Sequence, residues 1–214
     1  MIKTFTSYHH ANDQKYKEAF VNWASASGLI DDISVQTGEI DEGLPNQSIR
    51  TRIRDHYLRD SDVTVLLCGT ETRYRKHVDW ELKSSMIDGA INRKSGILVI
   101  DLPESKSISW YCAYGDREKE LLYPDHNDGW FTVSTAVHYE NMFPDMPRRI
   151  IENLNRNDVA ISVVPWNRIY QNVEGLRYLL QQTKGSGSIN DYDTTRPMRM
   201  KNFNPKLEIF DIRV

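Results

Sequence analysis

The residues with the clearest chemical potential lie in one stretch, Gly69-Thr-Glu-Thr-Arg-Tyr-Arg-Lys-His-Val-Asp-Trp-Glu81, where a polar loop gives way to a helical pattern bearing a carboxylate. Upstream, Val63 to Cys68 is an unbroken apolar run that suits a strand covered on both faces of a parallel sheet. Downstream, Val78, Leu82, Met86 and Ala90 recur at helical spacing, which starts a helix near Val78 and puts Glu81 in its first turn. A helical side chain leans towards its own N-terminus, so the Glu81 carboxylate should reach the loop. Open α/β sheets hold ligands outside the carboxyl ends of their strands, so Gly69 to His77 should line a crevice.

The helix dipole favours an ionised first-turn carboxylate by about 0.3–1 kcal/mol, and such an anion could stabilise a cationic transition state. Position alone favours a solvated first-turn glutamate helped by the dipole. Asp79 lies about 200° away around the same helix and is expected to matter little to that chemistry. The first loop offers Ser7, Tyr8, His9, His10 and Asp13 between a strand end and a helix N-terminus, where backbone N–H groups can meet phosphate. Neither G-x-G-x-x-G nor G-x-x-x-x-G-K-[ST] occurs, which argues against a dinucleotide Rossmann site and a P-loop. Adjacent His9 and His10 point apart and no cluster completes a zinc spacing, so no metal is expected. Arg73, Arg75 and Lys76 either bind pyrophosphate or form a solvated basic face. Cys68, at a buried strand end, reads as packing rather than a nucleophile.

Positioning these groups requires an α/β frame. Ile2 to Ser7 reads as a first strand, and Asn12 or Asp13 as the cap of a helix using Tyr16, Ala19, Phe20, Trp23 and Ala24, with Gly28 past its end. Ile33 to Thr37 is a second strand, Gly38 to Asn46 a polar loop and Ser48 to Arg59 an amphipathic helix on Ile49, Ile53 and Tyr57. Gly96 to Leu102 is a fourth strand ending at Pro103. Between residues 104 and 147 scattered aromatics break the rhythm; they either stack on a nucleotide base or build a satellite core. Pro147 to Asn155 then reads as a helix, Val159 to Val164 as a strand and Val173 to Thr183 as a last helix, before a flexible linker Gly185-Ser-Gly-Ser188. Lys206 to Val214 has strand-like composition. The alternation predicts a doubly wound parallel sheet of flavodoxin type, residues 1–185, with a tail at 189–214.

Composition limits the partners. The 214 residues carry a formal charge of −3, so no global basic field draws nucleic acid or an anionic membrane. No apolar run approaches the roughly 20 residues of a membrane span, no signal-peptide core opens the chain, and two cysteines make no disulfide framework, so a cytoplasmic protein is expected.

Three anchors resemble the TIR-like domain of bacterial antiphage Thoeris systems: Phe5-Thr-Ser-Tyr-His, Gly69-Thr-Glu-Thr72 followed by Arg75-Lys76 and His77-Val-Asp-Trp-Glu81-Leu-Lys-Ser-Ser85, and Ala160-Ile-Ser-Val-Val-Pro-Trp-Asn167. His77 replaces a more usual Trp, and the segment after Asp101 is long. The resemblance implies that NAD is a substrate, not a cofactor, with Glu81 as catalytic carboxylate and Ser7, Tyr8, His9, Asp13, Gly69, Thr70, Thr72, Arg75 and Trp80 around the substrate. It further implies a mobile loop at 38–46, a cyclic ADP-ribose-type product sensed by a separate effector protein, a phage-derived trigger and self-association on activation. The alternatives are a non-catalytic interaction module and a nucleotide-binding receiver.

Overall fold

Every residue of Val63–Cys68 is buried, because this strand lies at the centre of a five-stranded parallel sheet. The computed structural model describes residues 1–34, 46–89, 92–126, 130–133 and 135–203, the side chains of Asn46 and Arg50 excepted. Along the chain come β1 (Ile2–Ser7), α1 (His10–Ala26), β2 (Ile30–Asp32), α2 (Asn46–Arg52, continued by a π-helical turn at Ile53–Leu58), β3 (Val63–Cys68), α3 (Lys76–Ser85) and β4 (Gly96–Asp101). There follow α4 (Asp116–Leu122), α5 (Ala136–Met142), α6 (Arg148–Leu154), β5 (Val163–Pro165), α7 (Trp166–Ile169) and α8 (Val173–Gly187).

The strand order is β2-β1-β3-β4-β5, and the chain reverses its winding direction between β1 and β3. That switch point is where doubly wound sheets open a ligand crevice. Strand parity divides the core. Val63, Val65 and Leu67 face a layer built with Phe20 and Ala24 of α1 and Leu176, Leu179 and Leu180 of α8. Leu66 and Cys68 face the opposite layer, with Val78 and Leu82 of α3 and Ile150, Ile151 and Leu154 of α6. A third cluster joins Phe5, Ile49, Ile53, Leu58 and Trp80.

The α/β class and parallel sheet expected from the sequence are found, and several boundaries differ. β2 lies at Ile30–Asp32, three residues before the expected start, because Gly28 at φ +68° ends α1 and turns the chain directly into register with Ile2. β5 is confined to Val163–Pro165, although Ile161 before it is also buried. Neither Asn12 nor Asp13 caps α1: its N-cap is His9, and the buried stripe is Asp13, Lys17, Phe20 and Ala24. Lys17 enters that stripe because it pairs with Asp32 at 3.3 Å.

The Gly-Ser linker reading is overturned. Gly185 to Gly187 form the last turn of α8, pressed on the sheet so closely that a Cβ on Gly187 would lie 2.4 Å from the Gly96 backbone nitrogen. Tertiary contact here outweighs the low helical preference of glycine. Residues 189–203 then run back across α6 and α3: Asn153 accepts the Asp193 N–H, Arg196 Nε bonds Glu152 Oε2 at 2.8 Å, and the Trp80 indole donates to Arg199 O at 2.7 Å. Residues 206–214 and the loop 38–45 lie outside the described residues.

The aromatic insertion packs on itself. Trp110 stacks on Tyr123 with centroids 4.7 Å apart, and Trp130 meets both rings edge-on. These rings join the α1/α8 side of the core.

Candidate active site

Ser7 ends β1, and its buried Oγ donates a 2.6 Å hydrogen bond to Glu81 Oε2. The two residues are 74 positions apart in sequence, so only the packing of α3 across the sheet joins them. α3 begins at Lys76, two residues before the expected start, which makes Glu81 the sixth residue of the helix and places it in the second turn. The dipole acts mainly within the first turn, so it contributes little here. Burial dominates instead. Glu81 is 5% exposed, and removal from water pushes its carboxyl up to about 8, with the Ser7 hydroxyl pulling the other way. The expectation of an exposed, ionised glutamate is corrected: in the resting protein near neutral pH the carboxyl is mostly protonated.

A second polar group lies at the mouth of the switch point. Asp13, in the first turn of α1, receives a hydrogen bond from Thr72 Oγ1 at 3.4 Å, and Thr72 Oγ1 accepts the Gly69 N–H at 2.9 Å. Gly69 is required there. A Cβ at this position would lie 2.6 Å from both Asp13 carboxylate oxygens, closer than real Cβ atoms come. Burial raises the Asp13 carboxyl to about 6, against the lowering effect of the Thr72 bond. The His9 imidazole drops to about 4, first through burial and then through the charges of Arg75 and His10, so it is neutral at physiological pH. Its Nδ1 is buried with no partner among the described residues. Arg75 pairs with Glu71, and its Nε is likewise buried without one.

The other expected site residues separate into two groups. Thr70 is half-buried on the loop after β3. Tyr8 and Trp80 belong to the core: the Tyr8 hydroxyl donates to Gln14 Oε1 at 2.6 Å and its ring stacks on His10, while Trp80 is fully enclosed beside Phe5 and Ile49. Cys68 is fully buried and its thiol is raised well above the ordinary range, chiefly by burial.

The arrangement is an uncharged imidazole, a buried carboxyl with a hydroxyl donor, and a second carboxyl at a glycine-hinged loop, all at the strand ends flanking the switch point. Residues 5–107, which contain all of these groups, match the family described as Thoeris protein ThsB, TIR-like domain. The chain carries a Thoeris TIR-like domain. No curated protein matches the chain. The match assigns the domain to the Thoeris antiphage systems, and it ends at residue 107, before Trp110 and the other aromatics of the insertion and before α6 and α8.

Sequence reasoning missed Asp79 and Arg149. Arg149 is completely buried on α6 and pairs with Asp79 at 2.9 Å, and Asp79 also accepts the Arg199 N–H at 2.7 Å. In the sequence Asp79 reads only as a residue of little importance to the Glu81 chemistry, with no sign of this structural pairing. The only signal was an arginine next to the apolar residues Ile150, Ile151 and Leu154 of α6, which is indistinguishable from a solvated position until a partner is known.

Proposed function

We propose that the TIR-like domain cleaves the nicotinamide–ribose bond of NAD, with Glu81 as the catalytic carboxylate. The observation that supports this most directly is the buried Ser7–Glu81 hydrogen bond at the switch point of the sheet. Departure of neutral nicotinamide leaves an oxocarbenium-like ribose, and a carboxylate facing it stabilises charge that exists only in the transition state. The leaving group needs no proton, so one carboxyl suffices.

Burial of Glu81 adds a condition to this reading. The resting carboxyl holds its proton, and the cationic nicotinamide ring of bound NAD would favour the ionised form by direct attraction. Substrate binding then expels a proton and creates the anion where it is used. Ser7 donates to either form and holds the carboxyl in one orientation. Asp13, His9 and Thr72 would flank the ribose and diphosphate. Cyclisation of the ADP-ribose moiety yields the signal read by an effector protein, with a phage-derived trigger and self-association controlling turnover.

The test is nicotinamide release, followed by mass spectrometry of the products, from cells that express the chain before and after phage infection. NAD consumption with a cyclic ADP-ribose isomer supports the reading. Unchanged NAD in infected cells that mount a defence would refute it.

A further inference from the structure

We propose that the cleft between α3, α6 and residues 196–199 binds a small di- or polyphosphate, at a site that adjoins the candidate active site through Thr72 and Arg75 but does not include the Ser7–Glu81 pair. The cleft encloses about 300 Å³ and is lined by Thr72, Arg73, Arg75, Arg148, Arg196 and Arg199, with Asp79 as the one acidic lining residue. Asp79 is already committed to Arg149 and to the Arg199 N–H. Arg75, Arg148 and Arg196 each have a carboxylate partner in Glu71, Glu140 and Glu152. Arg73 and Arg199 differ. Among the described residues their recorded acceptors are the carbonyls of Pro144 and Arg73, which satisfy N–H groups without neutralising charge.

Two uncompensated guanidinium groups thus share a walled cleft, on a chain whose total charge is −3. A weakly hydrated planar guanidinium binds phosphoryl oxygens two at a time, and several converging on one space select a multiply charged phosphate over a single carboxylate. A volume of about 300 Å³ corresponds to roughly ten waters at about 30 Å³ each, enough for a diphosphate with part of its hydration. Asp79 and Glu81 are two residues apart on α3 and so about 200° apart around it, which directs the cleft away from Glu81. A phosphate seated there would tie Arg199 of the returning segment to Arg73 of the loop. The assignment does not depend on NAD cleavage.

The experiment is calorimetric titration of the full chain with sodium pyrophosphate at low and at physiological salt, repeated on Arg73→Gln, Arg199→Gln and Glu81→Gln. Both arginine substitutions spare the backbone bonds of residue 199, and melting without ligand checks their folding. The expected result is one saturable site, weaker at higher salt, retained in Glu81→Gln and weakened about tenfold or more in each arginine variant. Absence of saturable binding, wild-type affinity in both arginine variants, or loss in Glu81→Gln would overturn the assignment. ADP in a parallel titration separates the sources: tighter binding than pyrophosphate in this cleft indicates a nucleotide, equal binding an inorganic phosphate.

Discussion

Two carboxyl groups on α3, two residues apart, are both withdrawn from water and have opposite surroundings. Asp79 faces α6 and meets the buried Arg149 guanidinium together with a backbone N–H. Glu81 faces β1 and meets one hydroxyl and no recorded cation. The difference separates a carboxyl with a buried charged partner from one with only a neutral donor. Removing a carboxylate enclosed with a guanidinium strands the buried partner charge, whereas a carboxyl enclosed with a neutral donor has its value raised by burial.

The most severe way to break the comparison is Asp79→Asn. It leaves the Arg149 charge buried and unmatched, and the expected loss is about 3–5 kcal/mol of unfolding free energy, measured by urea denaturation. A variant as stable as wild type would show that the pair is not a structural charge. Next is Glu81→Gln, which removes no buried cation's partner and should fold normally. In the activated protein its NAD cleavage should fall about 100-fold or more, the scale of losing one placed electrostatic stabiliser. Turnover at the wild-type rate would take Glu81 out of the chemistry.

A pH series sharpens the contrast further. The folded Glu81 carboxyl, at about 8, lies above its ordinary value of 4.5, so the native state holds the extra proton between those limits. Its contribution to stability is complete below about 4.5 and is lost as pH rises through 8. Asp13 and Asp101 near 6 and Glu118 near 7 act in the same direction for the same reason, burial. The difference in stability between wild type and Glu81→Gln, measured at pH 6 and pH 9, isolates Glu81. A difference that does not change with pH would contradict a raised carboxyl.

The smallest expected effect belongs to Ser7→Ala. Losing the single hydrogen bond should cost about 1 kcal/mol, and because that bond lowers the Glu81 value, the pH-dependent step should move upwards. A downward move would mean that the hydroxyl stabilises the protonated form.

The sequence by itself determined the parallel α/β frame, since β3 and β4 are continuous apolar runs and α1, α3 and α8 carry their apolar residues at helical spacing. It also determined the family and singled out Ser7, Asp13, Gly69, Thr72 and Glu81, whose types and order are local properties of two short segments. What it could not determine was the environment of each carboxyl. Glu81 reads as a solvated first-turn residue until α3 is docked on β1, and Asp79 as its harmless neighbour until α6 brings Arg149 across. Gly185 to Gly187 read as a linker until α8 docks on the sheet, where position 187 leaves no room for a side chain. Burial and charge pairing are set by partners 70 or more residues away, and local periodicity carries no information about them. Only tertiary packing decided which acid meets a buried cation and which meets a neutral hydroxyl.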